Sequence, residues 1–87
     1  MVHVDALARI KDLVSKGFIR YTFHARRRMD ERNATARDVR TAILSSTKAE
    51  HNVEKDNYRL TGGCDTDGHP MTVVAAIEAD CVVITIY

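Results

Sequence analysis

The sequence predicts an α+β domain, with two to three N-terminal helices packed on a four-stranded, mainly antiparallel sheet. Three observations carry that expectation. Up to Ser46 the apolar residues recur at helical spacing, beyond it they alternate, and only short turn-forming stretches separate the alternating runs. Helices gathered first and strands second imply a sheet covered on one face, its strands following one another as a meander. A length of 87 residues allows one domain, residues 1–87, with a thin core. Apolar residues at 45%, charged residues at 29% and a single proline exclude the disordered and low-complexity classes.

Asp5 is placed to cap a first helix whose apolar stripe is Ala6, Ile10, Leu13 and Val14, and Gly17 supplies its C-terminal stop. Residues 18–23 read as a short β-branched and aromatic connection. Residues 24–32 favour helix throughout, with Ala25 and Met29 four apart on the buried side, and Asn33 ends the segment. Thr35-x-x-Asp38 has the pattern of a capping box for a third helix that turns Val39, Ala42 and Ile43 inward. Residues 49–54 and 58–61 read as two strands joined at Lys55-Asp56-Asn57, and residues 62–68, dominated by glycine and aspartate, as a loop. Residues 69–78 and 81–87 are two stronger strands that turn through Ala79-Asp80. In the last strand, alternation sets Val82, Ile84 and Ile86 under the helices and Val83, Thr85 and Tyr87 on the other face. Tyr58 and Leu60 share one side of their strand, Arg59 and Thr61 the other.

His3 and Asp5 stand where a secretion leader needs a basic start and an apolar run. The most apolar stretch, residues 71–87, is broken by Glu78 and Asp80. A cytoplasmic protein without a membrane partner is expected. Cys64 and Cys81 are then expected to stay reduced. A zinc site from Cys64, His69, Cys81 and His51 has no paired-ligand spacing behind it, and Cys81 reads as a small buried side chain. Neither a metal nor a cofactor is expected.

Charge is unevenly divided. Residues 1–47 carry ten Lys/Arg against five Asp/Glu, whereas residues 48–87 carry three against seven. Residues 20–40 hold seven arginines and no lysine. A solvated helix face is one source of such a run; recognition of phosphate or carboxylate by the two-pronged guanidinium is the other. Within the run, His24, Arg28 and Arg32 are spaced i, i+4, i+8 along one helix face, while Arg27 and Glu31 are set to pair on the surface. An imidazole moves protons near neutral pH, and guanidinium groups hold a phosphate and stabilise charge that builds on it. On the open sheet face, Arg59, Thr85 and Tyr87 suit a nucleic-acid strand, through phosphate pairing and ring stacking. Ordinary cross-strand pairing is the plainer reading of each.

The run Thr22-Phe23-His24-Ala25-Arg26-Arg27-Arg28-Met29-Asp30-Glu31-Arg32, followed by Thr35-x-x-Asp38-Val39, resembles the T-x-H-A-x-x-R-M-x-x-R opening of a bacterial family of small domains of unknown function. Tyr58, the Gly68-x-Pro70 turn and the closing Val83-Ile84-Thr85-Ile86-Tyr87 are similar to that family too, so the resemblance spans roughly residues 20–87. It differs at Asn33, where the family pattern has glycine. Such domains are often encoded beside zinc-finger antitoxins, and their fold resembles the RelE/barnase-like group of metal-independent ribonucleases. The resemblance therefore implies a toxin-type endoribonuclease, partnered by RNA and by a protein antitoxin. By the same resemblance His24 is the general acid or base, Arg28 and Arg32 hold the scissile phosphate, and Thr85 and Tyr87 orient substrate. Arg27, Tyr58, Arg59 and His69 are expected to contact RNA, and His69 is the candidate for a second proton-transfer group. Two other readings stand beside it: a non-catalytic module that binds RNA or an acidic partner through the arginine face, and a homodimer or partner subunit that docks through a sheet face or edge.

Overall fold

The computed structural model describes residues 5–87, and the His3 used above in reading the N-terminus lies outside the described residues. Helix α1 spans Ala6–Ser15, and the Asp5 carboxylate accepts the Leu7 N–H at 3.0 Å, one of the donors left free at a helix start. Helix α2, Phe23–Arg32, is capped by Thr22 and ends at Asn33, which takes the left-handed conformation (φ 55°) that asparagine tolerates. Helix α3, Ala36–Ser45, opens on the capping box read from Thr35 and Asp38. No helix among the described residues is long and apolar enough to cross a membrane.

The fold is α+β, as expected, but its sheet has five strands rather than four. They are β1 (Ile19–Tyr21), β2 (Lys48–Asn52), β3 (Asn57–Thr61), β4 (Val73–Ile77) and β5 (Cys81–Ile86), in spatial order β1-β5-β4-β3-β2. Strands β2 to β5 form the antiparallel meander, and β1 adds to its free edge parallel to β5. Residues 18–23 are thus more than a connection. The Cys81 N–H donates to the Phe18 carbonyl at 2.8 Å and the Thr22 N–H to the Val83 carbonyl at 2.9 Å, hydrogen bonds that a three-residue strand could not find locally. Residues 69–72 stand outside β4, although Pro70 bridges Cys64 and Thr72 exchanges backbone hydrogen bonds with Tyr87.

One core forms from Ile10 and Val14 of α1, Ala25 of α2, Val39, Ala42 and Ile43 of α3, and the inward residues of the strands, among them Leu60, Val73, Ala75, Cys81, Val83 and Ile86. The face assignment within β5 is corrected here. Val74 pairs with Thr85 but Ala75 pairs with Val83, so Ile84 is an extra residue, a β-bulge that shifts the alternation. Val83 is therefore fully buried, Ile86 is buried as well, and Ile84 is turned out of the core. Burial pushes the Cys81 thiol up to about 12, leaving it a neutral packing group.

The loop between β3 and β4 is tied to α3. Gly63 is buried against the last turn of α3, where a Cβ would stand 2.1 Å from the Ala42 carbonyl oxygen. Asp38 does double duty: one carboxylate oxygen accepts the Thr35 N–H at 2.9 Å, the other the Thr66 N–H at 3.1 Å and the Thr66 hydroxyl. Those donors, the Thr35 amide foremost and Thr66 next, hold the Asp38 carboxyl well below the usual carboxylate range. A depressed native pKa means that the unfolded chain binds the proton more readily. The stabilisation is present above the ordinary value of 3.8 and is lost as pH falls below it. Asp38→Asn is expected to lower the urea midpoint at pH 7, with the gap from wild type closing at acid pH. A constant gap from pH 7 to pH 2 would remove Asp38 as the source.

Candidate functional site

The residues turned away from the core build a row across the sheet. Glu50 of β2 pairs with Arg59 of β3, Arg59 with Val74 of β4, and Val74 with Thr85 of β5. With neighbouring strands about 4.8 Å apart, the row runs about 14 Å from Glu50 to Thr85. His24 and Tyr87 close it at the β5 end, and Asn52, Lys55 and Asn57 close it at the β2–β3 turn. Together they line a cavity of about 610 Å³, within the size range of small-ligand sites.

His24 reaches this cavity through a chain of local causes. The Thr22 hydroxyl accepts the Ala25 N–H at 3.0 Å and donates to the Ile84 carbonyl at 3.0 Å. One side chain thus both starts α2 and pins that start to the bulge of β5. The turn carrying His24 is fixed against the strand carrying Thr85. Arg59 meets Tyr87 across the same cavity, its guanidinium carbon 6.0 Å from the ring centroid, at the outer limit of a cation–π contact.

Of the residues singled out in the sequence, the cavity brings together His24, Arg59, Thr85 and Tyr87. Arg28 sits beside it: its Nε donates to the Ile86 carbonyl at 3.3 Å, and it pairs with Glu31 at 3.5 Å. Glu31 is therefore taken by Arg28, the residue three before it, instead of by Arg27. Arg27 and Arg32 are exposed on α2, where Arg32 in the last turn complements the helix dipole. Tyr58 faces the core side, packing there and stacking with His51 at 4.6 Å between ring centroids. His69 lies in the β3–β4 loop, its Nδ1 3.7 Å from Asp65, and does not line the cavity. Arg20 leaves the arginine face altogether, bonded to Glu78 at 2.8 Å and Asp80 at 3.1 Å across the β4–β5 turn.

Three cavity residues carry chemistry that sequence reasoning missed, Glu50, Lys55 and Asn57, while His51 is marked in the sequence only as a zinc candidate. The signal was the register of one hairpin. With Asn52 paired to Asn57, residues 53–56 form the loop and Asp56 takes a positive φ of 49°, so Glu50 falls opposite Arg59. A turn at residues 55–57 hides that pairing. The zinc set Cys64, His69, Cys81 and His51 is not assembled, because Cys81 in β5 and His51 in β2 are separated by two intervening strands. Asp65, Asp67 and His69 bring ligand atoms within 4.8 Å of one another, but one Asp65 oxygen already accepts the N–H groups of Asp67 and His69.

Residues 21–87 match the model of a family described as a domain of unknown function, DUF4258. No curated protein and no solved structure matches the chain.

Proposed function

As a chain that belongs to the DUF4258 family of domains of unknown function, this protein is, we propose, a metal-independent endoribonuclease of the toxin type. The observation that carries the reading is the grouping of His24, Arg59 and Glu50 in one cavity, with an imidazole and a carboxylate on either side of a guanidinium. The row of about 14 Å between the Glu50 and Thr85 strands is long enough to take one phosphodiester link of an RNA strand along it. Glu50 takes the proton from the ribose 2′-hydroxyl as its oxygen attacks the adjacent phosphorus. The P–O5′ bond breaks, and His24 protonates the departing 5′ oxygen, leaving a 2′,3′-cyclic phosphate. Arg59 offsets the charge that accumulates on the phosphoryl oxygens, and Thr85 and Tyr87 orient the strand. Glu50 supplies the second proton-transfer group in the role first considered for His69.

The exposed arginines of α2 and α3 favour a second reading, a non-catalytic RNA-binding module. Among the described residues the ion pairs of residues 20–40 engage only Arg20 and Arg28, which leaves Arg26, Arg27, Arg32, Arg37 and Arg40 for phosphates or for an acidic segment of an inhibitory antitoxin. Incubating the purified protein with mixed cellular RNA in EDTA, followed by end-group analysis, separates the two. The ribonuclease reading expects 2′,3′-cyclic phosphate ends. Intact RNA that is bound with a steep salt dependence would replace it with the binding module.

A further inference from the structure

The open face of the β2–β3 hairpin carries Glu50 opposite Arg59 and, one pair nearer the turn, Asn52 opposite Asn57. Asn57 is the unusual member of the four. It is only 8% exposed, yet it lines the cavity, and none of the side-chain hydrogen bonds among the described residues involves its amide. None of its polar atoms is sealed away without a partner, so the amide opens onto the cavity. A nearly buried amide without a protein partner is costly unless something else meets it. Asn52 shows the contrast, with its side-chain oxygen accepting the Lys55 N–H at 3.3 Å inside the turn.

The neighbours of Asn57 on this face define what can meet it. Arg59 stands two residues along β3, about 6.8 Å away on the same side of the strand. Although Glu50 is its cross-strand partner, Arg59 makes no ion pair among the described residues, and its guanidinium lies toward the Tyr87 ring instead. The guanidinium is therefore available to a phosphate. Glu50 sits diagonally across from Asn57, close enough for the two side chains to meet one small group. Its ion pair with Lys48, at 3.8 Å, joins two exposed side chains and holds it weakly. A group placed between a carboxylate and an amide N–H has to donate to the first and accept from the second. A hydroxyl does both, with one proton to give and lone pairs to receive. On a ribose the 2′-hydroxyl and the 3′-phosphate leave adjacent carbons, so a phosphate held by Arg59 brings that hydroxyl toward Asn57 and Glu50. The 2′-hydroxyl is also the group by which a protein tells RNA from DNA.

We infer that Asn57 reads the sugar: its amide N–H donates to the 2′-hydroxyl of the nucleotide whose 3′-phosphate lies on Arg59, so the cavity prefers ribonucleotides to deoxyribonucleotides. The inference rests on the ribonuclease reading for the placement of the phosphate, but ribose preference is a binding property and is measured without cleavage. The probes are nucleoside 3′-monophosphates and their 2′-deoxy counterparts, which carry no 5′-linked leaving group and stay intact. Titrated into the full chain in EDTA, the ribo compounds are expected to bind about three- to tenfold more tightly, the range of a net hydrogen bond. Asn57→Ala is expected to lower that ratio at least twofold while leaving the affinity for the deoxy compounds unchanged. General damage to the hairpin would weaken both compounds alike and leave the ratio as it was. Asn57→Leu keeps the bulk of the side chain without its donor, and is read in the same way where the alanine variant does not fold. Equal affinity for ribo and deoxy compounds in the wild type, no binding of either, or an unchanged ratio in a folded Asn57 variant would overturn the inference. Ribose preference that depends on Asn57, without RNA cleavage, would sustain it and remove the nuclease. Cleavage without ribose preference would do the reverse.

Discussion

His24→Ala is expected to lower the rate of RNA cleavage by about 10²–10⁴-fold, the usual contribution of a positioned proton-transfer group. The fold is expected to survive, because His24 is exposed in the first turn of α2 and the cap of that helix is made by Thr22, not by the imidazole. Both halves of the expectation are measured together: appearance of cyclic-phosphate ends per minute, and the urea midpoint of the same preparation. A folded His24→Ala protein that cuts at the wild-type rate would remove the imidazole from the chemistry and leave Glu50 and Arg59 without their partner. Loss of cleavage with an unchanged midpoint would make the effect chemical, not structural.

Gly63→Ala is expected to be strongly destabilising for so small a change. The added methyl would stand 2.1 Å from the Ala42 carbonyl oxygen, 3.0 Å from the Ala42 carbonyl carbon and 2.9 Å from the Ser46 hydroxyl. Two of those atoms are backbone of the last turn of α3, so relief requires the helix to move off the sheet and not one side chain to rotate. Overpacking of this kind costs about 3 kcal/mol or more, a large part of the roughly 5–10 kcal/mol that holds a small domain together. Gly68→Ala is the matched control. Gly68 has a φ of 84° and nothing within 4 Å of a Cβ, so only left-handed strain applies, about 1–2 kcal/mol. Urea denaturation of the two variants checks the order. Gly63→Ala as stable as Gly68→Ala would mean that α3 yields more easily than its packing implies.

Features governed by neighbours in sequence were legible in advance. The Thr35–Asp38 capping box, the stop at Asn33 and the inward set Val39, Ala42 and Ile43 depend on residues three or four apart, and they stand where the pattern put them. What escaped depended on distant pairing. Strand β1 is three residues long and finds its hydrogen bonds on β5, so no local pattern marks it as a strand. The alternation of β5 reads as regular because a bulge leaves no trace in composition, yet Ile84 reverses the inward set around it. The candidate site divides the same way. His24, Thr85, Arg59 and Tyr87 were marked by residue type and face, whereas Glu50 and Asn57 join them only through the hairpin register of β2 and β3. The second acid–base candidate was sought at His69, which the β3–β4 loop carries elsewhere.

The parallel pairing of β1 with β5 has a consequence for the order of synthesis. Translation delivers His24 early and Thr85 and Tyr87 late, and the Thr22 hydroxyl that fixes the His24 turn binds a carbonyl of that late strand. A nascent chain that has not yet extruded residues 81–87 has neither the carbonyl that anchors the His24 turn nor the β5 side of the cavity. Under the proposed activity, such a chain would be harmless to the ribosome and messenger that are producing it. Under that activity, cutting would require β5 to be paired in place.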